Sequence, residues 1–236
     1  PSSLSLVQLH SGQMQVFQSP HRFKVVCAGR RWGKSRLSIS TIIRAAAKER
    51  KQRVWYVAPT YQMARQILWD DLQEVLPRKW IRKKNDTTMT IVLKNGSEIA
   101  LKGADKPDTL RGVALHFVVL DEFQDMKPDT WYKVLRPTLS STRGGALIIG
   151  TPKGFSEFHK LWTIGQNKEL QRKGQWKSWQ FVTADSPFVP TAEIEAAKND
   201  MDPKSFAQEY LASFENMSGR VYYPFDRSVH VKPLQF

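Results

Sequence analysis

Apolar positions along the chain fall into two repeating signatures. Residues 23–28, Phe-Lys-Val-Val-Cys-Ala, are short, apolar and β-branched, which predicts a strand. After an interruption at 29–35, Leu37, Ile39, Ile42, Ile43 and Ala46 recur at helical spacing. A second strand is predicted at 53–57, followed by a helix with Met63, Ile67, Leu68, Leu72 and Val75 on one side and Pro77 beyond its end. Segments 88–93 and 97–101 flank Asn95-Gly96, a dipeptide that supports the positive φ of a type I′ turn and so predicts a hairpin. Segments 116–120 and 146–150 are almost wholly apolar, as in parallel strands covered on both faces. A further helix is expected to begin near Pro128. Buried strands alternating with amphipathic helices predict an α/β protein with a mostly parallel sheet. Beyond Ala184 the pattern changes to two short helices, 191–199 and 203–214, which read as a small helical appendage.

Composition narrows the function. The 236 residues are 41% hydrophobic, enough for a buried core and too apolar for a disordered chain. One cysteine, Cys27, excludes an internal disulfide framework and fits a reducing compartment. No pair of histidines has metal-ligand spacing, so a zinc enzyme is not expected. Lys and Arg interrupt every apolar run short of the roughly 20 residues that span a bilayer, and the first residues, Pro-Ser-Ser-Leu-Ser-Leu, lack a basic leader, so neither membrane insertion nor secretion is expected. The 36 Lys and Arg outnumber 22 Asp and Glu, a net charge of +14. Ten of these cations cluster, as Arg44, Lys48, Arg50, Lys51, Arg53 and as Arg78, Lys79, Arg82, Lys83, Lys84. Such concentration points to a polyanionic partner, most simply nucleic acid.

Three motifs sit at predicted strand ends. Gly29-Arg30-Arg31-Trp32-Gly33-Lys34-Ser35 lies between a strand and a helix. A phosphate-binding loop needs backbone N–H groups at a helix N-terminus, glycine where the chain must bend, a lysine for phosphate oxygens and a hydroxyl for Mg²⁺. Gly33, Lys34 and Ser35 meet those needs, although Ala28 stands where the general pattern has its first glycine. Asp121-Glu122 ends a hydrophobic strand, placing two carboxylates at the sheet edge where ligands of parallel sheets bind. The first can serve a Mg²⁺ shell and the second can orient an attacking water. Thr151, in Gly150-Thr-Pro-Lys-Gly154, puts a hydroxyl at the end of another buried strand.

Taken together, Gln13, Ala28-Gly-Arg-Arg-Trp-Gly-Lys-Ser35, Val57-Ala-Pro-Thr-Tyr61, Pro107-Asp-Thr-Leu-Arg-Gly112, Val119-Leu-Asp-Glu122, Gly150-Thr-Pro-Lys-Gly154 and Phe206-Ala-Gln-Glu-Tyr-Leu-Ala-Ser-Phe214 resemble, in order and over nearly the whole chain, the ATPase domain of the large terminase subunit of tailed bacteriophages. In that family an arginine follows the first glycine of the phosphate loop, as Arg30 does here.

The resemblance implies a P-loop NTPase core of the ASCE type at 1–184, a helical lid at 185–220 and a tail at 221–236 leading toward a nuclease domain absent from this chain. It implies ATP and Mg²⁺ bound by Gly29, Arg30, Arg31, Trp32, Gly33, Lys34 and Ser35, with Gln13 at the adenine. Ser35 and Asp121 would share the metal, Glu122 would be the catalytic carboxylate, and Arg30 would reach the γ-phosphate. Arg111 would act on a neighbouring subunit's ATP, and Thr151 would couple hydrolysis to movement. The implied partners are double-stranded DNA, the portal protein and procapsid, the small terminase subunit and further copies in a ring, in the cytoplasm of an infected host. A helicase-like translocase remains an alternative, as does a basic nucleic-acid-binding module with a non-hydrolysing nucleotide site.

Overall fold

The computed structural model describes residues 7–214. Eight strands form one sheet in the order β3-β4-β5-β2-β6-β7-β1-β8. They are β1 (Phe23–Ala28), β2 (Arg53–Ala58), β3 (Ile81–Asn85), β4 (Thr90–Leu93), β5 (Glu98–Gly103), β6 (Phe117–Leu120), β7 (Gly145–Gly150) and β8 (Trp176–Phe181). All neighbours pair in parallel except β3 with β4 and β4 with β5, which are antiparallel.

The expected parallel centre is present because its strands are apolar on both faces. Alternate residues of β1 feed opposite layers: Val26 and Ala28 join Leu37, Ile42, Leu68 and Leu72, whereas Phe23, Val25 and Cys27 join Trp131, Leu135, Phe158 and Leu161. Helix α1 (Ser11–Gln18) and helix α2 (Lys34–Lys48) cover the first face. The predicted helix at 61–75 also lies there, but its middle turn, Arg65–Trp69, is π-helical. Leu68 and Leu72 are buried as expected, while Met63 and Ile67 are only partly covered and stand at the rim of a cleft.

The hairpin forms with a different turn. Gly96 takes φ 83° and the Leu93 carbonyl accepts from its N–H at 2.9 Å, while Asn95 keeps a negative φ. That is a turn closed by one left-handed glycine in place of type I′. The Asn95 amide instead donates to the Ala46 and Glu49 carbonyls, tying the hairpin to the end of α2.

Both edge strands lie outside the sequence prediction. Most of β3 is exposed, including Arg82, Lys83 and Lys84, so its pattern is that of a charged surface; charge on such an edge also opposes unwanted pairing. In β8, Trp176, Ser178 and Gln180 alternate with Lys177, Trp179 and Phe181, leaving neither face uniformly apolar. The helix Glu157–Gly165 that packs on β8 is likewise outside it.

The appendage helices are Thr191–Asp200 and Pro203–Glu209, the second ending sooner than predicted. Ala212 turns the chain with φ 51°, and Ala212 and Phe214 are buried against the core, Phe214 meeting His159 and Trp162. The end of the expected lid, 215–220, and the expected tail, 221–236, lie outside the described residues.

Candidate active site

Strand β1 delivers the chain to the C-terminal edge of the sheet, where the loop 29–33 turns it into α2. Gly29 stands where an added Cβ would come within 2.5 Å of the Thr183 hydroxyl and 2.8 Å of the Tyr210 carbonyl. Gly33 has φ 104°, and a Cβ there would collide with the Gln13 amide nitrogen. Arg31 is also left-handed, at φ 60°. Alternating backbone hands of this kind turn N–H groups to one side and favour an anion. The first turn of the 15-residue helix α2 contains no carboxylate to neutralise its positive end.

Strand β7 lies between β1 and β6, so the ends of all three converge on one cleft of about 520 Å³. The Lys34 ammonium donates to the Thr151 hydroxyl at 3.0 Å and stands 3.9 Å from Glu122 Oε1. Asp121 is buried; its Oδ2 accepts from the Tyr56 hydroxyl at 2.7 Å and its Oδ1 from the Glu122 N–H at 2.9 Å. Burial, and then the neighbouring Glu122 charge, push the Asp121 carboxyl up to about 6. Glu122 itself takes φ 52°, an unfavourable conformation for a side-chain-bearing residue, found often at functional sites.

Two residues absent from the sequence reading complete this geometry. Tyr56, from β2, fixes Asp121. Gln124 donates to Glu122 Oε2 at 2.6 Å while its Oε1 accepts from the Thr151 N–H at 3.3 Å. Gly150 leaves room for that amide, since a Cβ there would collide with Gln124 Oε1. Lys34, Thr151, Gln124 and Glu122 therefore form a closed ring of polar contacts. The Asp-Glu motif points at the strand end, but nothing in the spacing singles out a glutamine two residues later.

The expected site residues divide into two groups. Arg30, Arg31, Gly33, Lys34, Ser35, Asp121, Glu122 and Thr151 line the cleft. Gln13, Gly29, Trp32 and Arg111 do not. Gln13 is buried beneath the loop, its amide donating to the Gly33 carbonyl at 2.8 Å and its oxygen accepting from the His10 N–H at 3.0 Å. Trp32 points into the core and stacks on Phe181 with ring centres 4.7 Å apart. Gly29 serves as backbone at the contact with Thr183 and Tyr210. Arg111 is exposed and paired with Asp108 at 3.2 Å. Arg30 is at the rim, where its Nε meets Glu209 of the appendage at 2.6 Å and its backbone N–H donates to the Glu209 carbonyl at 2.7 Å.

The donor set fits a phosphate-bound Mg²⁺ better than a metal held by protein alone. Among the described residues no group of three or more His, Cys, Asp or Glu side chains converges on a metal position. Mg²⁺ keeps waters and phosphate oxygens and needs only one or two protein oxygens, which the Ser35 hydroxyl and Asp121 carboxylate can supply.

Similarity to known proteins identifies the family and the fold. Residues 25–228 match the family described as terminase large subunit, T4-like-virus type, N-terminal. The large terminase subunit of Escherichia phage T5 is 31% identical over 219 residues, covering 91% of this chain and 49% of the phage T5 protein. The chain thus spans about half the length of that relative. The large terminase ATPase domain of Thermus phage P74-26 superposes with a TM-score of 0.76 and 26% identity, over 88% of this chain and 94% of that one. A large terminase from another thermophilic bacteriophage, solved in complex with ADP, shares the fold at a TM-score of 0.73 and 18% identity, over 95% of this chain and 58% of that one. The architecture is therefore the P-loop NTPase fold of terminase ATPase domains, and the chain belongs to the T4-like-virus-type terminase large subunit family.

Proposed function

We propose that the chain hydrolyses ATP to drive double-stranded DNA into a viral procapsid. The observation that carries this reading is the convergence of Lys34, Asp121, Glu122 and Thr151 on the cleft before the α2 N-terminus. Nucleotide binding alone would need no second carboxylate.

In this reading the loop N–H groups and Lys34 hold phosphate oxygens, and Ser35 and Asp121 hold Mg²⁺. When bound, Mg²⁺ supplies charge neutralisation on those oxygens. Glu122 accepts a hydrogen bond from the attacking water and orients it, and Gln124 holds Glu122 in place. Thr151 is joined to Lys34 and, through Gln124, to Glu122, so its strand end feels a rearrangement around either. The appendage is joined to the loop through Glu209 and Arg30: a charge that draws Arg30 inward competes with that pair and loosens the contact. This supports the lid reading of 185–220, with Arg30 as the residue that exchanges partners. Gln13 serves the nucleotide indirectly, by bracing the loop at Gly33.

Arg111 is exposed and away from this chain's own cleft, a placement that suits a neighbouring copy's phosphates, where a planar guanidinium stabilises developing charge. On the same reading the portal protein, the procapsid and the small terminase subunit are the partners, a reading that membership of the terminase large subunit family supports. Mixing inactive Arg111→Ala with inactive Glu122→Ala chains should partly restore hydrolysis; no recovery in demonstrably mixed rings would remove the role in trans.

The central test is phosphate release with and without double-stranded DNA. Glu122→Ala should keep nucleotide binding and lose about 10²–10⁴-fold in turnover, whereas Lys34→Ala should lose binding itself. Near-normal hydrolysis by Glu122→Ala would overturn the assignment.

A further inference from the structure

At the opposite, N-terminal edge of the sheet the fold builds a second concavity, of about 570 Å³, between the end of α1, the loop 19–22, the last turns of α2 and the turn before β7. It is strongly basic. Arg22, Lys24, Arg44, Lys48 and Arg143 line it, with Glu49 as its one carboxylate. Among the described residues none of these five cations forms an ion pair.

Three of the five are held in place by main-chain carbonyls. Lys24 donates to Val16 at 2.9 Å, Arg22 to Gly144 at 2.9 Å and Leu139 at 3.2 Å, and Arg44 to Phe17. Carbonyls fix these side chains without placing a counter-charge beside them, so little conformational freedom remains to be lost when an anion arrives. Lys48 and Arg143 are exposed and have no side-chain hydrogen bond among the described residues. The cations affect one another: Lys24 is pulled down to about 7 by burial and then by Arg44, and Arg22 is lowered by burial, Arg136 and Arg143. Structural capping accounts for Arg22, Lys24 and Arg44 but gives no reason for Lys48 and Arg143 to face the same space.

We propose that this pocket is a second phosphate-binding site, separate from the nucleotide cleft, that grips the backbone of the DNA being moved. Arginine forks and lysine ammonium groups suit phosphate oxygens and read no bases. The basic strip does not end at the pocket rim. Exposed Arg50 and Lys51 continue it directly after Lys48 and Glu49, which suits an extended polyanion better than a single small anion. The sequence shows only the segment from Arg44 to Arg53; the fold adds Arg22, Lys24 and Arg143 to it from two other parts of the chain.

The proposal rests on DNA being the partner, and the experiment separates the two claims. Binding of a fluorescent duplex of arbitrary sequence is followed by anisotropy across a salt series. The proteins compared are the wild type, Lys48→Ala/Arg143→Ala and, as a control, Arg78→Ala/Lys79→Ala. Neither pocket residue touches the nucleotide cleft or holds a structural carbonyl, so folding and basal hydrolysis should be unchanged. The pocket variant should weaken duplex binding about tenfold or more at 0.1 M salt, and reduce the slope of log affinity against log salt by about 2. The control should change both less.

If the wild type binds duplex and the folded pocket variant binds it with the same affinity and slope, the pocket assignment fails while DNA remains the partner. If the wild type binds no duplex, both fail. Competition with tripolyphosphate and with polyglutamate identifies other occupants. A variant-sensitive affinity for either, with DNA affinity untouched, would overturn the proposal in favour of a small-anion or acidic-protein site.

Discussion

The two ends of the sheet bury opposite charges in opposite surroundings. At the C-terminal edge, Asp121 is enclosed and raised, but Tyr56 and the Glu122 N–H donate to it, and Lys34 lies near. Cations and carboxylates alternate around that cleft, from Arg30 with Glu209 to Lys34 with Glu122. At the N-terminal edge, Lys24 is enclosed and lowered, its ammonium answered by one carbonyl and repelled by Arg44. The first environment is nearly balanced and can switch as a ligand rearranges its pairs. The second is out of balance and gains most from an anion brought from outside. In the proposed reading, one sheet carries a site for turnover at one end and a site for grip at the other.

Gln124 separates the two edges most strongly, because the balance of the C-terminal cleft depends on a polar ring and the N-terminal pocket has none. Gln124→Ala should reduce kcat about tenfold, with little change in KM for ATP, by freeing Glu122 from its orientation. Gln124→Glu should not rescue it, since a second carboxylate would repel Glu122. A change confined to KM, or equal loss of folding stability and activity, would remove the positioning role. Duplex affinity should be unaffected.

A smaller effect is expected at Lys24. Its folded pKa lies below that of an ordinary lysine, so the unfolded chain binds more protons between about pH 7 and 10. Stability should rise with pH across that window, and the burial cost should be fully present below pH 7. Lys24→Met removes the cost. It should raise Tm at pH 7 by about 4 °C, on the order of 1–2 kcal/mol, and flatten the rise toward pH 10. An unchanged pH profile would show that the amine is already compensated. The variant should also bind duplex less well, trading grip for stability.

Much of the C-terminal cleft is legible in the sequence because its chemistry is local. Gly33, Lys34 and Ser35 adjoin one another between a strand and a helix, and Asp121-Glu122 ends an apolar run, so periodicity and residue type place them together. Gln13, Trp32 and Arg111 are equally visible as motif residues, but their directions are not. Gln13 and Trp32 turn inward because the loop needs a brace and the core an aromatic layer. Tyr56 and Gln124 give no local signal, since their roles are contacts made across strands. The edge strands are hidden for a related reason: with only one neighbour, β3 and β8 need no continuous apolar run.

Adjacency along the chain is enough to dictate the parallel centre of the sheet, the phosphate loop, the acidic strand end and the basic excess, since each is a property of neighbouring residues. Which charges meet is settled in three dimensions. A parallel sheet returns every crossover to the same edge, so strand starts and helix ends from distant segments gather there. That return joins Arg22 and Arg143 to Arg44 and Lys48, just as strand ends bring Thr151 to Lys34 at the other edge.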